Sequence, residues 1–161
     1  MARIAINGLG RIGRAAFKIL LDHPDLELAA VNDLVDPENL AYLLNYDSVY
    51  GRFEHWVSVE DGHLKVDGKK IPVYDRKDPS ELPWSDEKID LVFECTGVFT
   101  KKDQLKKHIE AGARYVLLSA PAKSEDVETV VYGVNQPDES ARIVSCASCT
   151  TNCITPVVEI M

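Results

Sequence analysis

The sequence predicts an α/β protein built on a doubly wound, mostly parallel sheet with a small antiparallel insertion. Two observations carry that prediction. Apolar strand-like runs alternate with helix-like segments along nearly the whole chain, and one stretch, residues 53–73, breaks the alternation with hairpin signals.

Residues 3–7 alternate apolar and polar side chains, and Gly8-Leu9-Gly10-Arg11-Ile12-Gly13 then opens a segment, 14–21, whose Ala15, Phe17, Ile19, Leu20 and Leu21 suit a buried helix. His23-Pro24-Asp25 breaks that helix. Residues 26–31 read as a second strand ending at Asn32-Asp33, so a strand–helix–strand unit is complete by residue 33. Pro37 suits the first turn of a helix whose Leu40, Leu43 and Leu44 share a face, and this arm ends around Tyr46-Asp47-Ser48. Short runs at 55–59, 64–66 and 71–73, separated by Asp61-Gly62 and Asp67-Gly68, form the antiparallel excursion. Residues 89–95 are an apolar strand, 101–111 a Lys-rich helix stopped by Gly112, and 115–118, 129–132 and 142–145 further short strands. Residues 148–161 read as a helix whose apolar positions Ile154, Val157, Val158 and Ile160 run to the end of the chain. Such a face normally packs on something, so a second domain beyond residue 161 is expected.

Composition narrows the function classes. The 161-residue chain, 45% hydrophobic and 27% charged, has the make-up of a globular domain with one sizeable core. It holds no run of about 18 apolar residues and its start enters a strand directly, which disfavours membrane spanning and secretion. A net charge of −8 repels phosphate backbones, so nucleic acid is not an expected partner. Of four cysteines, Cys146, Cys149 and Cys153 crowd into one segment, which points to thiol chemistry in a reducing compartment rather than a disulfide framework.

The glycine run gains meaning from its context. It follows a strand, opens a helix, and has Asp33 at the end of the second strand about 20 residues on, as a dinucleotide-binding, Rossmann-like fingerprint requires. Gly8 permits the tight turn, Gly10 lets the backbone approach a pyrophosphate, Gly13 lets helix and strand pack closely, and the helix N-terminus supplies free N–H groups. Asp33 accepts the ribose hydroxyls and repels a 2′-phosphate, so NAD is expected over NADP.

The segment Ser145-Cys146-Ala147-Ser148-Cys149-Thr150-Thr151-Asn152-Cys153 leaves several readings open. Cys149 at a helix entrance, beside the hydroxyls of Ser148 and Thr150, suits a nucleophile. Cys146 and Cys149 have the spacing of a redox pair. As metal ligands the cysteines lack a fourth partner, and no metal is expected. Three small side chains packed at a strand-to-helix turn is the remaining reading, and Cys153 is expected to turn into apolar packing with Ile154 and Val157.

Taken together, Asn7-Gly8-Leu9-Gly10-Arg11-Ile12-Gly13-Arg14, Asn32-Asp33-Leu34, Tyr46-Asp47-Ser48, Cys95-Thr96-Gly97-Val98-Phe99, Ser119-Ala120-Pro121, Gly133-Val134-Asn135 and above all Ser148-Cys149-Thr150-Thr151-Asn152-Cys153 resemble the glyceraldehyde-3-phosphate dehydrogenases. The resemblance covers the whole chain in order. It implies an NAD-binding domain over 1–148 and the start of a catalytic domain at 149–161. In the cofactor site it implies Arg11 and Ile12 at the diphosphate, Asp33 on the adenosine ribose, Lys77 near the adenine, Thr96 on the adenine side and Ser119 toward the nicotinamide. Cys149 corresponds to the nucleophile, and Ser148 and Thr150 to one side of a phosphate pocket. The implied reaction is oxidation of glyceraldehyde 3-phosphate with uptake of inorganic phosphate, by a cytoplasmic homotetramer. Cys146 stands where most members carry Asn, Tyr50 where many carry His, and Lys77 where many carry Arg. The family's general-base His, substrate-phosphate Arg and nicotinamide-amide Asn fall beyond residue 161. Erythrose-4-phosphate dehydrogenase shares much of the pattern, and a stand-alone NAD-binding module is the alternative outside the enzymes.

Overall fold

The computed structural model describes residues 1–161. Its elements run β1 (Ala2–Asn7), α1 (Arg11–Leu21), β2 (Leu26–Asn32), α2 (Pro37–Asn45), β3 (Tyr46–Asp47), β4 (Gly51–Arg52), β5 (Val57–Glu60), β6 (His63–Val66) and β7 (Lys69–Tyr74). A 3₁₀ turn (Pro79–Glu81) leads to β8 (Leu91–Glu94), α3 (Lys102–Glu110), β9 (Tyr115–Leu118), β10 (Glu128–Thr129), β11 (Ile143–Ser145) and α4 (Cys149–Ile160). Nine strands share one sheet in the order β10-β11-β9-β8-β1-β2-β7-β6-β5. Pairings are parallel from β10 to β7 and antiparallel between β7, β6 and β5.

The expected antiparallel insertion is therefore present, and its last strand does double service. β7 closes the meander and also pairs in parallel with β2 through Val31↔Val73 and Asn32↔Tyr74, which makes the insertion an extension of the main sheet. A second ribbon, β3 with β4, forms where the helical arm was expected simply to end. Its turn is organised by Asp47, whose Oδ1 accepts from the N–H groups of Val49 and Tyr50 at 2.8 and 3.1 Å. Of the expected strand at 129–132 only Thr129 is in a strand, as the second residue of the two-residue β10.

Helices cover both faces. Ile4 and Ile6 of β1 pack with Phe17 and Leu20 of α1, with Leu40 and Leu44 of α2, and with Val57, Leu64 and Ile71 of the meander. On the opposite face Ala5, Ala29, Ala30 and Val92 lie under Trp84 and Ile89, and Leu105 of α3 packs on Val116 and Leu118. Small side chains on β1 and β2 make room for the indole of Trp84, which is 0% exposed. A register shift reconciles β2 with both cores: Ile4 pairs with Leu28 but Ala5 pairs with Ala30, so Ala29 is an inserted bulge residue. Without it, Leu28 and Val31, three residues apart, would face opposite sides of the sheet. With it, both reach the same core.

α4 is amphipathic without a buried face. Ile154, Val157, Val158 and Ile160 are exposed, and no residue of the helix is buried. Cys153 is exposed as well, like Ile154 and Val157 beside it.

Candidate functional site

β1 stands where the strand order reverses, with β2 and the meander on one side and β8 and β9 on the other. Loops leaving the carboxyl ends of β1 and β8 diverge at such a point and open a crevice. A cavity of about 610 Å³ lies there, in the size range of small-molecule sites. It is lined by the glycine turn after β1, by Asn32 and Asp33 at the end of β2, by Arg76 and Lys77 after β7, and by Thr96, Val98 and Phe99 after β8.

The three glycines do different work. Gly8 turns the chain at φ +92, a left-handed conformation, and lies so close to β8's exit that a Cβ would sit 2.8 Å from Thr96 N. Gly13 is the close-packing residue, because a Cβ there would lie 1.9 Å from Gly8 O. Gly10 is different: its φ is −66, it is the N-cap of α1, and nothing lies within 4 Å of where its Cβ would be. The open space belongs to the cavity, and no side chain caps the first turn of α1. Its N–H groups and positive dipole end are therefore available to an anion. α1 begins at Arg11, three residues earlier than the apolar pattern suggested, because Gly10 O already accepts the Arg14 N–H at 2.9 Å.

Asp33 is tied to the turn it serves. Its Oδ2 accepts from Leu9 N at 2.6 Å and its Oδ1 from Val35 N at 3.0 Å, so the carboxylate fixes the glycine turn while each oxygen keeps a second lone pair. Arg14 donates from Nη1 to Leu9 O at 3.0 Å, and its Nε is buried without a partner beside the cavity.

Of the residues singled out from sequence, the structure gathers Gly8, Gly10, Asp33, Lys77 and Thr96 around one cavity. Gly13 supports it from behind, and Arg11 and Ile12 are exposed on the first turn of α1. Ser119 follows β9, with its N–H bonded to Glu94 O at 3.0 Å, next to the strand that lines the cleft. Asn7, Asn32 and Arg76 were missed. Their signal was positional: Asn7 and Asn32 end adjacent parallel strands, where a ligand crevice forms.

The cysteine segment lies at the same edge, since β11 runs parallel to β9 and β8. Ala147 takes a left-handed φ of +63 and so redirects the chain from β11 into α4. Ser148 is the N-cap, its Oγ accepting from Thr151 N at 3.0 Å and sharing hydrogen bonds with the hydroxyls of Thr150 and Thr151. Asn152 Nδ2 clamps the turn by donating to Cys146 O and Ser148 O at 2.7 and 2.9 Å. Cys149, the first residue of α4, is exposed. Burial pushes the Cys95 thiol up to about 11 and raises that of Cys146. No three His, Cys, Asp or Glu side chains cluster as metal ligands, and no helix is long and apolar enough to cross a membrane.

Residues 2–102 match the family model described as glyceraldehyde 3-phosphate dehydrogenase, NAD binding domain. The chain belongs to the glyceraldehyde-3-phosphate dehydrogenase family. Enzymes of that name from Mycoplasma pneumoniae and Thermotoga maritima are each 48% identical to it, over 99% and 100% of this chain and 48% and 49% of their own lengths. The glyceraldehyde-3-phosphate dehydrogenase of Geobacillus stearothermophilus is 49% identical over 99% of the chain and 48% of its own length. The chain thus spans about half the length of the curated relatives it matches. The cleft suits the cofactor of this family's domain, NAD: an uncapped helix start and the open face of Gly10 offer a diphosphate cradle, Asp33 has lone pairs to spare, and Leu34, Val98 and Phe99 supply apolar walls.

Proposed function

We propose that residues 1–148 are the cofactor domain, and 149–161 the start of the catalytic domain, of a phosphorylating glyceraldehyde-3-phosphate dehydrogenase. The reaction is the glycolytic conversion of D-glyceraldehyde 3-phosphate, NAD and inorganic phosphate to 1,3-bisphosphoglycerate, by a cytoplasmic homotetramer. One observation carries the reading: an exposed thiol, Cys149, opens a helix at the carboxyl edge of the same parallel sheet that holds the dinucleotide cleft.

Cys149 adds as thiolate to the aldehyde carbon and gives a thiohemiacetal, whose developing oxyanion the free N–H groups at the start of α4 favour. Bound NAD supplies the two-electron oxidation that separates this adduct from the thioester. Inorganic phosphate then attacks the thioester carbonyl, the acyl phosphate leaves, and the sulfur returns as thiolate. Arg11 and Ile12 offer main-chain N–H groups to the diphosphate, Asp33 holds the adenosine ribose, Lys77 and Thr96 flank the adenine, and Ser119 lies toward the nicotinamide. Ser148 and Thr150 border the substrate phosphate, although the Ser148 hydroxyl is already engaged in capping α4.

The acid–base group has no candidate near Cys149 among the chain's histidines. His108 is buried beneath the sheet, His55 is paired with Asp22 and Asp67, His63 lies in β6 and His23 follows α1. The 161-residue chain is therefore expected to bind NAD without turnover. Protein expressed from the whole open reading frame should reduce NAD only when both D-glyceraldehyde 3-phosphate and phosphate are present, and Cys149→Ser should lose several orders of magnitude in rate. Undiminished turnover by Cys149→Ser, or faster turnover of erythrose 4-phosphate, overturns the assignment.

A further inference from the structure

On the face of the sheet opposite α1, beneath the cleft, a carboxyl group is buried with no lysine or arginine against it. Glu94 ends β8 and is 0% exposed, as is the imidazole against it, His108 of α3. Trp84 Nε1, which can only donate, bonds His108 Nδ1 at 3.0 Å. Nδ1 is therefore the accepting nitrogen, the proton sits on Nε2, and Nε2 donates to Glu94 Oε2 at 3.0 Å. The same oxygen accepts from Asn7 Nδ2 at 2.6 Å. Glu94 Oε1 accepts from the Thr96 N–H at 2.8 Å and from the Thr96 hydroxyl. Four donors around one carboxyl group is the pattern of a carboxylate.

The bonds continue across the crevice floor. Asn32 Nδ2 donates to Asn7 Oδ1 at 2.7 Å, and the same amide bonds both the N–H and the carbonyl of Arg76. One connected set thus runs from Trp84, outside the cavity, to Asn7, Asn32, Arg76 and Thr96, which line it. Burying an anion is costly, and an apolar side chain of similar size would fill the space more cheaply. What the carboxylate adds is geometry: it joins the ends of β1 and β8 on the two sides of the switch point, and it holds Thr96 as the wall against Gly8.

We infer that Glu94, His108 and Trp84 are positioning residues for the cofactor cleft, with Glu94 setting Thr96 and Asn7 and Trp84 locking the His108 tautomer that holds Glu94. The inference rests on reading the cavity as the NAD site. Trp84 is buried and outside the cavity, so its indole N–H resonance reports the network without touching ligand. Titration of the isotope-labelled 161-residue chain with NAD should move that resonance along the saturation curve of the Thr96 amide, while Trp56, exposed beside the meander, stays in place. Trp84→Phe should weaken NAD binding about tenfold although residue 84 lines no part of the cleft, as loss of one buried hydrogen-bond partner does. Thr96→Val should weaken binding and shrink the Trp84 shift, and Thr96→Ser should restore both. Saturable NAD binding that leaves the Trp84 resonance unmoved, or a full Trp84 shift in Thr96→Val, overturns the proposal and spares the cofactor site. Failure of the unsubstituted chain to bind NAD overturns the reading of the cleft and the proposal with it. Should Trp84→Phe not fold, the titration and the Thr96 pair decide.

Discussion

Alanine at Gly13 and at Gly10, three residues apart in one motif, should fail for different reasons. At position 13 the new Cβ would lie 1.9 Å from Gly8 O, 3.0 Å from Gly8 C and 3.3 Å from Ile6 Cγ2. A relaxed carbon–oxygen contact is about 3.3 Å, so α1 must withdraw from the turn by more than about 1 Å. The closest atoms are main chain, and no rotamer change relieves them. Overpacking typically costs about 1–3 kcal/mol, and with no flexible side chain to yield, Gly13→Ala should sit near the upper end. NAD affinity should fall about 100-fold, since a displacement of that size misaligns the N–H groups of the turn. At position 10 the Cβ meets nothing and φ is ordinary, so the fold loses only the N-cap preference of Gly over Ala, about 0.5–1 kcal/mol. The added methyl nevertheless projects into the space a diphosphate needs, and NAD affinity should fall at least about tenfold. Urea unfolding followed by far-UV circular dichroism, together with calorimetric NAD titration, separates the two effects. Equal stability in the two variants, or wild-type NAD affinity in Gly10→Ala, would refute the reasoning.

Asp33→Ala should weaken NAD binding and narrow the preference over NADP by about 1–3 kcal/mol; because Asp33 also holds Leu9 N, part of the loss should appear with both cofactors in parallel titrations. His55 lies 2.6 Å from Asp67 Oδ2 and 3.3 Å from Asp22 Oδ1, linking the meander to the end of α1. Partial burial lowers its pKa, but the bonds to Asp67 and Asp22 outweigh that, and the net shift is upward from 6.5. A folded value above the unfolded one gives stabilisation that is complete below 6.5 and fades as pH rises through the folded pKa, so His55→Gln should flatten the unfolding midpoint measured from about pH 5.5 to about pH 8.5. Iodoacetamide at neutral pH should label Cys149 first, Cys153 more slowly although it is exposed, and Cys95 last, because burial keeps that thiol protonated; peptide mapping that finds Cys95 ahead of Cys149 would remove the basis for the nucleophile assignment.

The parts of this protein legible in the sequence are those whose chemistry lies within a few residues. The glycine turn, the spacing to Asp33, the hairpin signals at Asp61-Gly62 and Asp67-Gly68 and the helix opening at Cys149 depend on local backbone freedom, capping and side-chain periodicity, and each sits where the pattern placed it. Element ends drifted by one to three residues where a main-chain bond outside the apolar pattern decided the boundary, as at Arg11.

What only the tertiary structure decided depends on partners distant in sequence. Nothing around Ala29 marks it as a bulge; the need to point Leu28 and Val31 at one core does, and that core is built from α1, α2 and the meander. Glu94 reads as a polar strand end, yet it is buried because Asn7 of β1, 87 residues away, and His108 of α3, 14 residues away and itself held by Trp84, converge on it. Local propensity sets which turns and helices form, whereas burial and the pairing of polar groups are settled by which surfaces meet once the sheet assembles, and a strand's own residues carry no record of its neighbour across the sheet.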